Sequence, residues 1–162
     1  MGGSICGFFF YKRMVYRFGI KNLQIAIHFA YILIPLGLFF CSDGIPYLSV
    51  MIGVLLFAGN FAFACFVCTF SQESLALARP GNITMANAFS QTYQMIGTAS
   101  GRTAASLLLG NGVLTSSWKI WNIPISNFQT IYLVSSGFAF FCLILILCIP
   151  SVVPKREDYY CP

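Results

Sequence analysis

The chain has 162 residues, of which 58% are hydrophobic and 17% aromatic against 8% charged, and its mean hydropathy is +0.80. That composition excludes an ordinary soluble domain and places the chain among membrane proteins. The formal net charge of +5 does not signal a nucleic-acid partner, because the cations sit in short segments beside apolar runs and no folded polar domain is left to hold a duplex.

Residues 1–11 are apolar but only about half as long as a span through a hydrocarbon core about 30 Å thick, so they are expected to form the stump of a helix. A secretory leader is a poor alternative, since Lys12 and Arg13 follow the apolar run instead of preceding it. Residues 12–22 then form a basic loop, KRMVYRFGIKN. Four later segments reach about 20 mostly apolar residues and can close their backbone hydrogen bonds internally: 23–41, 48–70, 83–112 and 128–149. The expected fold is an all-α polytopic membrane helix bundle, one membrane domain over 1–162, with four complete transmembrane helices and a tail at 150–162.

Between the spans, Asp43, Gly44 and Pro46 give 42–47 the composition of a tight hairpin. Pro80 and Gly81 break the next connection, and Asn82 and Thr84 are placed to cap the helix that follows. If the first basic loop is cytoplasmic, that side also receives Arg79, Lys155 and Arg156, while the other side receives Lys119 alone. The positive-inside rule therefore puts the C-terminus in the cytoplasm of a plasma or inner membrane, with Trp118 and Trp121 at an outer aromatic belt.

The third span carries the informative pattern. At roughly 100° per residue, Asn87, Gln91, Gln94, Thr98 and Arg102 fall within an arc of roughly 80°. A cation at the helix centre costs roughly 2.5–3.5 kcal/mol on insertion scales, which packing alone rarely requires, so the stripe is expected to face a solute path. Interhelical bonding, with Arg102 reaching to an interface, is the plainer reading. A second face of the same helix is small: Ala86, Ser90, Gly97, Gly101 and Ala104, with Gly97 and Gly101 at the spacing that lets helices pack closely. Phe89, Ile96 and Leu107 lie on the side away from the stripe. In the second span Asn60 is the only deep amide and is a candidate for the same path, whereas the last span reads as a peripheral, lipid-facing helix. His28 has no acidic neighbour in its segment and reads as a hydrogen-bonded packing residue.

Residues Lys12 to Asn22 resemble a degenerate copy of the loop motif G-x-L-x-D-R-x-G-R-K of the major facilitator superfamily. Arg17, Gly19 and Lys21 match its arginine, second glycine and final basic position, while Lys12, Tyr16 and Ile20 replace the first glycine, the aspartate and the next basic residue. In that family the motif recurs, weakened, between helices eight and nine. The resemblance implies that this chain holds the end of helix eight and all of helices nine to twelve, a partial major-facilitator-like fold in which helices ten and eleven line the solute cavity. It also implies that Arg17 and Lys21 pair with Glu73, near Arg79, to hold an inner gate.

Transporters of this kind have two six-helix halves that rock about a site near the midplane, and four spans supply only part of one wall. The function expected is the C-terminal portion of a secondary-active or facilitative small-solute transporter. It is expected to need a complementary N-terminal half and not to transport alone. Its partners are then a polar or anionic solute and the lipid bilayer. The alternative is a self-contained four-helix membrane protein that binds a partner through the ridge from Gly97 to Ala104. No cofactor or catalytic residue is implied: there is no HExxH, no phosphate-binding glycine loop, and the CxxC of Cys65 and Cys68 has no second pair.

Overall fold

A computed structural model describes residues 1–41, 46–78, 81–111, 118–120 and 123–148. They form five α-helices: α1 (Gly2–Phe18), α2 (Ile20–Phe40), α3 (Leu48–Leu77), α4 (Ile83–Gly110) and α5 (Asn127–Cys148). Between α4 and α5 two short strands, β1 (Lys119–Ile120) and β2 (Ile123–Pro124), pair antiparallel, with Lys119 opposite Pro124 and Ile120 opposite Ile123.

Three helices are long and apolar enough to cross a bilayer: α2, α3 and α5. The expectation of four such spans is not met in full, because α4 has the length, at 28 residues, but not the apolar composition. Its polar stripe is the physical reason. The expected 12–22 loop is also corrected. Helix α1 runs through Lys12, Arg13 and Arg17 to Phe18, and only Gly19 interrupts the path into α2. Gly19 adopts φ 77° and ψ 161°, a conformation essentially restricted to glycine. Its N–H donates to the Val15 carbonyl at 2.8 Å and its carbonyl accepts from Leu23 N–H at 3.1 Å, so one residue closes α1 and opens α2.

Helix α3 continues past the expected end at residue 70 to Leu77. At 30 residues it is about 45 Å long, well beyond the hydrocarbon core, and the extension carries Gln72 and Glu73 within the helix instead of in a loop.

The core lies where α1, α2 and α3 meet, with Tyr11, Val15, Ile20, Leu23, Ile27 and Cys65 buried together and Phe61, Phe66 and Tyr31 packed around them. Helix α1 approaches α3 through Gly3 and Gly7. A Cβ at Gly3 would strike the Phe57 carbonyl, and one at Gly7 would lie 2.7 Å from the Ala64 Cβ and 2.8 Å from the Phe61 carbonyl oxygen. These glycines, with Tyr11 and Val15, recur every four residues and are the buried face of α1. The close-packing pair of this fold is thus Gly3 with Gly7, in a segment whose sequence suggested only a stump.

Helix α5 docks on α2. Ser126 and Gln129 form a reciprocal capping box: Gln129 N–H donates to Ser126 Oγ at 3.2 Å, and Ser126 N–H donates to Gln129 Oε1 at 2.8 Å. The Gln129 amide then donates to the Phe39 carbonyl at 2.9 Å, satisfying an acceptor at the C-terminal end of α2. Halfway along, buried Ser136 donates to the Ile32 carbonyl at 3.0 Å. The final helix still exposes most of its surface, as a lipid-facing helix would, but its first turns are tied to specific acceptors.

Candidate functional site: the polar face of α4

Helix α4 has no buried residue. Asn82 stands at its N-cap position without a side-chain cap bond, and the Asn82 carbonyl accepts from Ala86 N–H at 3.0 Å. Among the described residues α4 is tied to the bundle by Ser74 of α3, whose hydroxyl donates to Ser90 at 3.2 Å. Ser90 belongs to the small-residue ridge, so that ridge meets α3 at its N-terminal end. Further along it is open: a Cβ built on Gly97 or Gly101 meets nothing within 4 Å among the described residues.

The polar stripe is legible in the structure as one face. Gln91, Gln94, Thr98 and Arg102, with Met95 and Ala99, line an open depression of about 370 Å³. Thr98 donates to the Gln94 carbonyl at 2.8 Å and is satisfied within its own helix. Asn87 lies one turn before the depression and is half-buried, as is Gln94, while Gln91 and Arg102 are exposed. Among the described residues the Asn87, Gln91, Gln94 and Arg102 side chains have no partner within the chain. The depression therefore offers amide donors and acceptors and one guanidinium to whatever faces it, a set suited to a polar or anionic group.

Asn60 is not brought to this face. It lies on α3 beside Gly3 of α1, and its amide donates to the Leu56 carbonyl of its own helix at 2.8 Å. The expected gate is not paired either. Glu73 Oε2 accepts from Gln24 Nε2 of α2 at 3.3 Å, and Glu73 Oε1 is buried without a hydrogen-bond partner among the described residues. Arg17 and Lys21 are exposed, and the Arg17 guanidinium lies 5.6 Å over the Phe18 ring. Arg79, the hairpin residues Asp43 and Gly44, Trp121 and the 150–162 tail lie outside the described residues.

A second polar cluster gathers around Glu73. Tyr11 of α1 donates to Gln72 Oε1 at 2.8 Å, next to the Gln24–Glu73 contact, so α1, α2 and α3 are joined by side-chain bonds at one end of the bundle. His28, one turn along α2 from Gln24, lies 2.8 Å from the Gln24 carbonyl through Nδ1 and packs edge-on to Tyr31 and Phe66. That geometry is a packing histidine's. Sequence reasoning missed Gln24 and Gln72, whose isolated amides gave no spacing signal. Cys65 is buried, with its thiol 4.0 Å from the Gly7 carbonyl, and both it and Cys68 are unbridged. No three His, Cys, Asp or Glu side chains among the described residues are grouped to hold a metal ion.

Three helices long and apolar enough to cross a bilayer, two of which form the core with α1, and a further long helix presenting polar groups outward fit an integral membrane protein. Compared with known proteins, the chain matches no sequence family, no curated protein and no solved structure.

Proposed function

We propose that this chain supplies one wall of a small-solute membrane transporter, with the polar face of α4 turned to the solute path and a complementary chain or segment closing the other side. The observation that carries the reading is the α4 face itself: Gln91, Gln94 and Arg102 line an open depression, Asn87 stands one turn before it, and none of the four has a side-chain partner among the described residues. Polar groups at membrane depth are costly unless they meet other polar groups, protein or water. Among the described residues these side chains meet no partner, and on this reading the complementary chain or segment supplies one.

The basic stretch that resembles the major facilitator loop motif supports a C-terminal placement, with Gly19 as the helix-to-helix pivot. Arg17, Lys21 and Glu73 are then the components of an inner gate in its unlatched arrangement, the carboxylate held by Gln24 and the two cations exposed. The solute is polar or anionic, because the only cation on the α4 face is Arg102. Uptake of a panel of radiolabelled anions and neutral polar solutes tests this in native membranes carrying the wild-type chain or Arg102→Leu. Uptake of at least one anion falls with the substitution and returns with Arg102→Lys; identical uptake across the panel would sink the proposal.

A partner-binding role without transport is favoured by one separate observation, the open ridge at Gly97 and Gly101. In that case Arg102→Leu leaves every uptake unchanged and substitutions at the two glycines abolish the association.

A further inference from the structure

Helix α1 has two opposite faces. Gly3, Gly7, Tyr11 and Val15 are buried against the bundle. About half a turn away, at the i, i+3, i+4, i+7 spacing of a single helical face, stand Phe9, Lys12, Arg13 and Tyr16. They border an open depression of about 360 Å³. Phe9 is 82% exposed and Tyr16 68%, and both cations are exposed.

Among the described residues the only carboxylate is that of Glu73. No Asp or Glu occurs between residues 1 and 42, and Arg17 and Lys21 extend the basic stretch. Glu73 is held by Gln24 in the cluster on the bundle side of α1. Along the helix axis the order is apolar, then cationic, then aromatic: Phe8, Phe9 and Phe10 precede Lys12 and Arg13, and Tyr16 follows. At 1.5 Å per residue, Phe9 and Arg13 are about 6 Å apart along the axis and Tyr16 is about 4.5 Å further. That sequence of chemistries matches the depth profile of one phospholipid: acyl chain, phosphate, headgroup.

We propose that Phe9, Lys12, Arg13 and Tyr16 form a site for an anionic phospholipid. The cations hold the phosphodiester, Phe9 lies along the first acyl segment, and Tyr16 sits at headgroup level. A free phosphate would satisfy the cations but leave Phe9, and the apolar run before it, in water. A zwitterionic lipid would bring its own cation against Lys12 and Arg13. The site is independent of the α4 face and holds whether or not that face carries a solute.

The test places one fluorophore at the site. Phe9→Trp is introduced with Trp118→Phe and Trp121→Phe, and the protein is reconstituted in phosphatidylcholine containing brominated phosphatidylglycerol or, separately, brominated phosphatidylcholine. Quenching reports which lipid sits beside position 9. Preferential quenching by the anionic lipid is expected, with a relative association constant of about fivefold for each cation engaged. Lys12→Gln with Arg13→Gln brings that ratio to near one, while Lys12→Arg with Arg13→Lys retains it and shows that the double change acts through charge, not misfolding. Lys119→Gln, on the strand pair, leaves it unchanged. Equal quenching by both lipids in the parent protein would overturn the proposal. So would loss of the preference on adding inorganic phosphate, since the site would then be one for a free anion.

Discussion

Substituting Gly7 by alanine tests the packing logic of the bundle against its nearest internal control. At Gly7 the new methyl would stand 2.7 Å from the Ala64 Cβ and 2.8 Å from the Phe61 carbonyl oxygen. Carbon atoms prefer about 3.5–4.0 Å, and an α3 carbonyl cannot rotate aside as a side chain can, so α1 must retreat by about 1 Å. Overpacking of this kind costs about 1–3 kcal/mol, against a gain of up to about 1 kcal/mol from replacing glycine by alanine inside a helix. The net expectation is a loss of about 1–2 kcal/mol, or about a 5- to 30-fold fall in the folded-to-unfolded ratio. Gly97→Ala and Gly101→Ala have the same chemistry and the same helical setting but meet nothing within 4 Å among the described residues, so only the propensity gain is expected. Equilibrium unfolding in mixed micelles, followed by far-ultraviolet circular dichroism, separates the two cases by the overpacking cost alone, about 1–3 kcal/mol. A Gly7→Ala protein as stable as Gly97→Ala would refute the reasoning, because the close approach of α1 to α3 would then not contribute to stability.

Gln129 serves two helices with different atoms, and two substitutions divide the roles. Gln129→Ala loses the capping box and the bond to Phe39, costing about 1–3 kcal/mol, and amide exchange accelerates both at the start of α5 and at the end of α2. Gln129→Glu keeps the acceptor and loses the donor, so protection drops at the α2 end alone; equal loss at both ends would count against this division. Glu73 leaves one buried oxygen without a donor among the described residues, so Glu73→Gln, which keeps an acceptor for Gln24 and removes the charge, raises the thermal midpoint at neutral pH. Glu73→Ala lowers it by stranding the Gln24 amide, and a reversed order of the two variants would show that the carboxylate has a partner the side-chain geometry does not contain.

The sequence made some of this structure legible and hid the rest for identifiable reasons. Apolar run length located α2, α3 and α5 because burial in hydrocarbon requires it of each helix separately. Helical periodicity placed Gln91, Gln94, Thr98 and Arg102 on one face for the same reason, as this needs no neighbour. What depends on a neighbour was not legible. Gly3 with Gly7 and Gly97 with Gly101 have identical spacing, but among the described residues only the first pair has a helix against it. Asn60 reads as a path residue from its face on α3, yet that face meets Gly3 of α1. The end of α3 was placed too early because Ser71, Gln72 and Glu73 are polar, and the polarity is absorbed by Gln24 and Tyr11 from two other helices. Ser126 and Gln129 do carry a sequence signal, the capping-box spacing, that would have fixed the start of α5.

The central claim is that the polar face of α4 borders water within the assembled membrane protein. Single cysteines at Gln91, Gln94, Thr98 and Arg102, and at Phe89, Ile96 and Leu107 on the opposite side, are introduced after the native cysteines are replaced. Native membranes are then treated with a membrane-impermeant thiol reagent. The account predicts labelling at the four stripe positions and protection at the three apolar ones, a helical period of reactivity along α4. Uniform labelling, or reactive apolar positions beside an unreactive stripe, would contradict it.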